Sequence, residues 1–349
     1  MQVDGSSARR PRLTPAIADV RRAVREALAA LRLSPAASFP AASAGKPLVL
    51  VGVSGGADSL ALAAATGFEA PRAGIRAGAI VIDHGLQAGS ADVAERAAAQ
   101  ARSLGLDPVV VMRVDVGRAA SAGGPEAAAR AARYEAFDAA MAVVGASHVL
   151  LAHTLDDQAE TVLLGLARGS GPTSLQGMAA RSGAYLRPLL GIRRAMTRQF
   201  CADSGLEPWE DPHNADPSYA RVRVRHAVLP TIERELGPGI TEALARTAEH
   251  LREDADALDA LALDWAIELT TQTEDGAVAL DVRGLEADPP ALRQRIIRLV
   301  VSNEFGVALE RVHTLAVAEL VTNWHGQKAL DLPGVRVVRQ DGRLIFTPA

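Results

Sequence analysis

Apolar residues recur along this chain in two alternating rhythms. Short unbroken apolar runs, the mark of strands buried on both faces, stand at Leu48 to Val53 (LVLVGV), Ala77 to Ile82, Pro108 to Val114 (PVVVMRV) and His148 to Ala152 (HVLLA). Between them lie alanine-rich stretches at helical spacing: the segment after Ser59, Ser90 to Leu104, and Pro125 to Gly145, where Pro125 suits a first helical turn. This alternation predicts an α/β fold, a parallel sheet with helices on both faces. Ahead of it, residues 1–12 read as a flexible arm. Pro15 to Leu33, with Ile17, Val20, Val24, Leu28 and Leu31 in step, reads as an amphipathic helix, and Ser34 to Lys46, rich in Ala, Ser and Pro, as a linker. After Pro230 the rhythm turns helical. Ile240 to Leu269 places Leu244, Ala248, Leu251, Ala255, Leu258, Leu261 and Trp265 on one stripe, and Pro289 to Phe305 and Ala308 to Asn323 supply two more helices. Asp341-Gly342 between alternating runs predicts a closing β-hairpin. The expected division is an arm, helix and linker over 1–45, an α/β domain over 46–230, and a smaller, mainly helical domain over 231–349.

Composition narrows the function classes. With 349 residues, 48% hydrophobic and 22% charged, the chain can bury a large core and form more than one domain. No apolar run is long enough to cross a bilayer, and MQVDGSSARRPR lacks the apolar core of a signal peptide, so cytoplasmic residence without a membrane partner is expected. The single Cys201 excludes an internal disulfide and any Cys-x-x-Cys metal or iron-sulfur site. A net charge of −4 gives no global nucleic-acid signature. A polyanion would have to be met locally, and Arg181 to Arg225 holds eight arginines against five acids. Arg221, Arg223 and Arg225 would share one face in a strand but spread around the axis in a helix.

The chemistry concentrates where strands meet helices. Ser54-Gly55-Gly56-Ala57-Asp58-Ser59 follows the first strand; two glycines permit a sharp turn that gathers N–H groups at a helix N-terminus, an anion site. No Gly-Lys-Ser/Thr follows, so it is not the usual phosphate loop. A carboxylate beside phosphate would repel it unless a cation such as Mg²⁺ lay between them, which Asp58 therefore calls for; a plain turn capped by Asp58 or Ser59 would use the same residues. Asp83 and His84 end the second strand, facing the ligand crevice of such a sheet or simply meeting solvent. Arg130, Arg133 and Tyr134 share a helix face. His153-Thr154-Leu155-Asp156-Asp157-Gln158-Ala159-Glu160-Thr161 opens another helix, with Thr154 and Asp157 spaced as a capping box. Asp157 and Glu160 then lie on one face beside His153, and their mutual repulsion calls for a metal or a substrate amine.

The Ser54 to Ser59 segment resembles the SGG-x-DS loop of the PP-loop ATP pyrophosphatases, a Rossmann-like family (PP-loop/HUP type) that splits ATP into AMP and pyrophosphate. Ala129-Arg130-x-x-Arg133-Tyr134, HTLDDQAET, Arg168-Gly169-Ser170-Gly171, Leu175-Gln176-Gly177-Met178, Leu186 to Leu190, Glu210-Asp211-Pro212-His213-Asn214 and Arg221-x-x-x-Arg225 are similar to the bacterial tRNA(Ile)-lysidine synthetases. His213, Val222 and Gln87 depart from that family's serine, asparagine and arginine. The resemblance implies ATP-dependent ligation of L-lysine to the wobble cytidine of the tRNA(Ile) that carries a CAU anticodon, through an adenylated 2-carbonyl oxygen. It implies that Ser54, Gly55, Gly56, Ala57, Asp58, Ser59, Asp83 and His84 hold ATP, and that Asp58 and Asp157 hold Mg²⁺. His153, Arg130 and Arg133 would stabilise the transferring group, Glu160 would orient or deprotonate the lysine amine, and Arg221 would meet the activated cytidine. The helical tail would help hold tRNA. The alternatives are another PP-loop enzyme, such as a tRNA cytidine thiolase, against which the lone cysteine counts, and a non-catalytic ATP-binding module. The resemblance is compatible with a homodimer as well as a single chain.

Overall fold

Alternation within the strands decides the architecture of the N-terminal part. In a computed structural model, residues 13–33, 46–83, 85, 89–114, 124–169, 171–273 and 276–349 are described; the expectations for residues 1–12, the linker at 34–45, His84, Gln87 and Ser170 lie outside them. The elements run α1 (Pro15–Leu33), β1 (Leu48–Gly52), α2 (Ala57–Glu69), β2 (Arg76–Asp83), α3 (Ser90–Ser103), β3 (Val109–Arg113), α4 (Gly124–Val144), β4 (His148–Leu150), α5 (Leu155–Arg168), α6 (Pro172–Leu175), β5 (Arg181–Ser182), β6 (Tyr185–Leu186), α7 (Arg194–Asp203), α8 (Ala220–Arg223) and α9 (Leu229–Leu236). The strands form one sheet in the order β3-β2-β1-β4-β6-β5, parallel except for β5.

Successive strand residues point to opposite faces. Val49, Val51 and Val53 with Ala77, Ala79 and Val81 pack under α1, α2, α3 and α7. Leu50, Ile80, Val149 and Leu151 pack on the other side, against Phe137 and Ala140 of α4. Both faces are covered, as the continuous apolar runs require. The chain lays β2 and β3 to one side of β1, then returns to place β4 on the other, so the sheet reverses its winding between β1 and β4. A crevice opens at such a point, beyond the carboxyl ends of the two strands.

By packing, the chain divides into two units, Met1–Ala248 and Glu249–Ala349, the division falling within α10 (Ile240–Leu269). The second unit holds β7 (Thr270–Gln272), β8 (Val278–Asp281), α11 (Val282–Ala287), α12 (Pro290–Phe305), α13 (Arg311–Thr322), β9 (Leu330–Leu332), β10 (Val335–Gln340) and β11 (Arg343–Pro348). The expected hairpin is β10 and β11, and Asp341 (φ 50°) and Gly342 (φ 74°) are both left-handed, as a tight two-residue hairpin turn requires. It belongs to a five-stranded antiparallel sheet, β7-β8-β11-β10-β9, on which Ile296, Ile297 and Val301 of α12 pack. That sheet is larger than the sequence suggests, because β7 and β8 are three and four residues long. In α10 the buried apolar positions are small, Ala248, Ala255, Ala262 and Ala266, whereas Leu261 and Trp265 are 48% and 40% exposed. No described helix is long and apolar enough to cross a membrane.

Candidate functional site

Two strand-to-helix junctions meet at the switch point. At the first, Gly55 adopts φ +84°, a conformation that disfavours side chains, and its carbonyl accepts the Trp209 N–H at 2.9 Å. Gly56 is the N-cap of α2 and offers no capping side chain, so the N–H groups of the first turn remain available at the positive end of the helix. Ser59 is buried, and its hydroxyl accepts the Ser54 N–H at 3.1 Å and donates to the Gly56 carbonyl at 2.9 Å, which fixes the curl of the loop. Asp58 stands in the same turn. It accepts a hydrogen bond from the Thr197 hydroxyl, and its other oxygen lies 3.5 Å from Arg194 Nε. Burial raises the Asp58 pKa, opposed by Thr197 and Arg194.

The second junction is closed by its own residues. Thr154 caps α5 by accepting the Asp157 N–H, while Asp157 Oδ2 accepts the Thr154 N–H at 2.8 Å and its hydroxyl at 2.7 Å, the expected capping box. Asp157 Oδ1 faces Arg194 Nη2 at 2.6 Å and Arg225 Nη2 at 3.4 Å. Glu160, one turn on, has no exposed surface. Its Oε1 accepts from Arg225 Nε at 2.7 Å and Arg194 Nη1 at 3.2 Å, and Arg221 Nε lies 3.7 Å from Oε2. The repulsion from which the sequence calls for an outside cation is met by arginines of the chain itself. Burial opposes the ionised form of Asp157, but Arg194 and the Thr154 bonds outweigh it and hold the pKa below the usual value. The acids reciprocate by raising that of Arg194.

Arg221 and Arg225 reach Glu160 together because residues 220–223 are α-helical and Val224–Val228 form a π-helical turn. Arg223, between them, turns away to the Pro217 and Ser218 carbonyls, each at 2.7 Å. The helical alternative therefore holds, and it splits the three arginines.

Across the crevice a basic group surrounds His153. Tyr134 Oη accepts from Arg130 at 3.2 Å and from the buried Arg187 at 3.1 Å. Burial, then the charges of Arg187, Arg130 and Arg221, push the His153 pKa down to about 4 against the pull of Asp157. The imidazole is neutral at neutral pH, and its Nδ1 is buried with no hydrogen-bond partner among the described residues. The Arg133 pKa is lowered by burial and then by Arg130 and Arg221. Asp83, buried at the end of β2 beside β1, accepts the Gly85 N–H at 2.9 Å; its neighbour His84 lies outside the described residues. Asp58, Asp157, Glu160 and Arg221 are thus linked through shared arginines, and Arg130 and His153 through the basic group.

Among the described residues no three His, Cys, Asp or Glu side chains could hold a metal by themselves. Mg²⁺ needs fewer, since it commonly takes one or two carboxylates with phosphate oxygens and water. Asp58 fits that pattern, being half-buried, under-neutralised and at the open helix end. Both oxygens of Asp157 are already engaged. Arg194 and Thr197, which set this arrangement, escape the sequence reading. Their partners lie far away in the chain, and the only trace is one more arginine in an arginine-rich stretch.

Comparison with known proteins gives the same picture of the two units. A family model described as a PP-loop domain matches residues 31–232, and one described as a TilS substrate binding domain matches residues 280–345. The tRNA(Ile)-lysidine synthase of Leifsonia xyli subsp. xyli is 72% identical over 301 residues, 86% of this chain and 90% of that protein. That of Thermobifida fusca is 54% identical over 337 residues, 95% of this chain and 98% of its own. Among solved structures, the U34-tRNA thiolase NcsA from Methanococcus maripaludis superposes with a TM-score of 0.55 at 18% identity, over 68% of this chain and 80% of that one, a likeness of fold alone.

Proposed function

The chain belongs to the tRNA(Ile)-lysidine synthase family, and from that premise we propose how its residues divide the work of an ATP-dependent ligase that forms lysidine on tRNA(Ile). The substrate is the tRNA whose anticodon reads CAU, and the second substrate is L-lysine. The 2-carbonyl oxygen of the wobble cytidine attacks the α-phosphorus of ATP and pyrophosphate leaves. The lysine amine then attacks C2, and AMP carries the oxygen away. Adenylation is needed because an amide-like oxygen is a poor leaving group until it is phosphorylated.

Ser54 to Ser59 cradle the phosphates on the open end of α2, with Asp83 at the adjoining strand end and His84 beside it in sequence. Mg²⁺, taken up by Asp58 together with phosphate oxygens, would supply charge neutralisation for the departing pyrophosphate. Asp157 supports the site through the capping box and Arg194. His153, held neutral, offers a hydrogen bond rather than a charge, while Arg130 and Arg133 provide the positive field for the transferring group. Arg221 meets the activated cytidine. Glu160, held in place by Arg221 and Arg225, orients or deprotonates the incoming lysine amine. The second unit holds the tRNA, and the enzyme works in the cytoplasm.

The observation that carries this reading is the uncapped α2 N-terminus with Asp58 in its first turn, set at the reversal of the sheet. The test is incubation with tRNA, ATP and lysine. Mass spectrometry should find a lysine adduct on cytidine, with AMP and pyrophosphate as the other products. ADP and orthophosphate in their place would overturn the scheme, and bound ATP that never turns over would leave a nucleotide-binding module.

A further inference from the structure

Two arginines of the basic group converge on one phenol. Arg130 Nη2 donates to Tyr134 Oη at 3.2 Å, and Arg187 Nη2 donates to the same oxygen at 3.1 Å. A guanidinium can only donate, so both acceptor positions of the oxygen are filled and its single O–H must point elsewhere. Among the described residues nothing accepts it. Tyr185, packed edge-on against Tyr134 at 4.7 Å, provides the contrast: its hydroxyl has the Asp138 carboxylate and the Tyr134 carbonyl to accept it. Edge contacts with Tyr185 and with Phe137, the latter at 5.9 Å, hold the Tyr134 ring in place. Arg187 is buried and fixed by the Ala179 carbonyl at 2.9 Å, and among the described residues neither arginine has a carboxylate within ion-pair distance.

We propose that Tyr134 is a catalytic residue whose O–H, turned outward by Arg130 and Arg187, donates a hydrogen bond to a negatively charged phosphate oxygen in the crevice. Two guanidinium charges and one hydroxyl proton meet there with no acid to balance them, a set that attracts an anion and repels an amine. Both charges also reach His153, whose pKa burial lowers first and Arg187 and Arg130 lower further against the pull of Asp157. Cationic donors on the phenol oxygen polarise it and strengthen the hydrogen bond that it gives. The phenol keeps its proton throughout. Its part is to stabilise the charge that spreads over the phosphoryl oxygens as pyrophosphate departs. Two phosphates of the reaction carry such oxygens, the α-phosphoryl group of ATP and the backbone phosphate beside the wobble cytidine.

The inference rests on the reading of the crevice as the site of adenylation, so its test compares substrates within an active protein. Single-turnover pyrophosphate release is measured for wild type and Tyr134→Phe with ordinary substrates, then with each diastereomer of ATP carrying sulfur in place of one non-bridging α-oxygen, then with tRNA carrying the same change at the phosphate 5′ of the wobble cytidine. Tyr134→Phe should slow release about tenfold or more with ordinary substrates. Sulfur accepts hydrogen bonds poorly, so at the oxygen that Tyr134 meets it should slow wild type yet add no penalty to Tyr134→Phe. The probe that shows this non-additivity identifies the phosphate. Equal penalties in both proteins for every probe overturn the proposal, because a merely structural tyrosine gives that result. Tyr185→Phe, in the same aromatic cluster, should keep the wild-type response to sulfur; its loss there too would trace the effect to ring packing and overturn the assignment. Should Tyr134→Phe not fold, 3-fluorotyrosine in place of Tyr134, a stronger donor of nearly the same size, should enlarge the sulfur penalty, and an unchanged penalty would tell against the proposal. Wild type that releases no pyrophosphate from ordinary substrates would sink the wider reading, whereas additive penalties in an active wild type sink this inference alone.

Discussion

The two helix N-termini at the switch point, α2 after β1 and α5 after β4, stand on neighbouring strands and carry the same backbone dipole, yet one is open and the other shut. The difference lies in the residue at the cap. Gly56 has no side chain to give, so the first turn of α2 keeps its donors for a ligand. Thr154 and Asp157 spend theirs on each other, so α5 is satisfied before any ligand arrives. The shut end still serves the site, because Asp157 and Glu160 anchor the arginines that shape the crevice. A helix dipole alone therefore does not leave donors for an anion; an unfilled cap does.

The largest effect should come from the charge at the open end. Asp58→Asn removes the carboxylate proposed to answer the nucleotide's cation, and pyrophosphate release should fall about a hundredfold or more. Normal release in that variant would refute the assignment. Next, Gly56→Asp should make the open end resemble the shut one. Gly56 is extended at φ −73°, and an added Cβ would meet nothing nearer than Ser54 Oγ at 3.6 Å, so the change fits sterically. A capping carboxylate would compete with phosphate for the same donors, weakening ATP binding by about tenfold or more while changing stability by only a few tenths of a kcal/mol. Unaltered ATP affinity, read by calorimetry, would show that the donors are not where ATP binds. Conversely, Thr154→Ala opens the shut end. Thr154 is fully buried, and losing its cap should cost about 1–2 kcal/mol, seen as a lower denaturant midpoint.

Both junctions were legible because their logic is local. The paired glycines lie within one turn, and Thr154 and Asp157 are three apart, so spacing alone predicts turn and capping box. The internal neutralisation was not legible. Arg194 meets Asp157 across 37 residues and Glu160 across 34, and neither separation leaves a pattern in the chain. The three-residue spacing of the two acids shows that a cation is needed, but no local pattern shows that the chain's own arginines supply it. Arg221 to Arg225 illustrates a different limit. Alternating arginine and valine suit a strand as well as a helix, and tertiary packing of Val224 with Ala159 and Leu229 decided for the helix. In the second unit the hairpin was announced by Asp341-Gly342, whereas β7 and β8 are too short to carry a rhythm.

The smallest effect distinguishes the junctions by the sign of their response to acid. His153 precedes the shut cap, and its pKa of about 4 in the folded chain lies below the usual 6.5. Between those values the unfolded chain binds a proton that the folded one refuses, so this stability is present above the usual value and is lost as pH falls from 6.5 toward 4. Near pH 6 the loss should reach about 1 kcal/mol relative to pH 8. His148, buried in β4, is lowered by burial and by Arg181 and works in the same direction. Asp58 at the open end works in the opposite one: its raised pKa means that the folded chain holds a proton more readily than the unfolded, so protonation favours the fold as pH drops through that value. Denaturant midpoints measured from about pH 8 to about pH 5 follow the histidine part of this response. Wild type should lose stability across that range, and His153→Asn should flatten the fall to the part that His148 supplies. An equally steep fall in the variant would mean that His153 keeps an ordinary pKa in the folded protein, and that neither burial nor the charges of Arg187, Arg130 and Arg221 act on it as the structure places them.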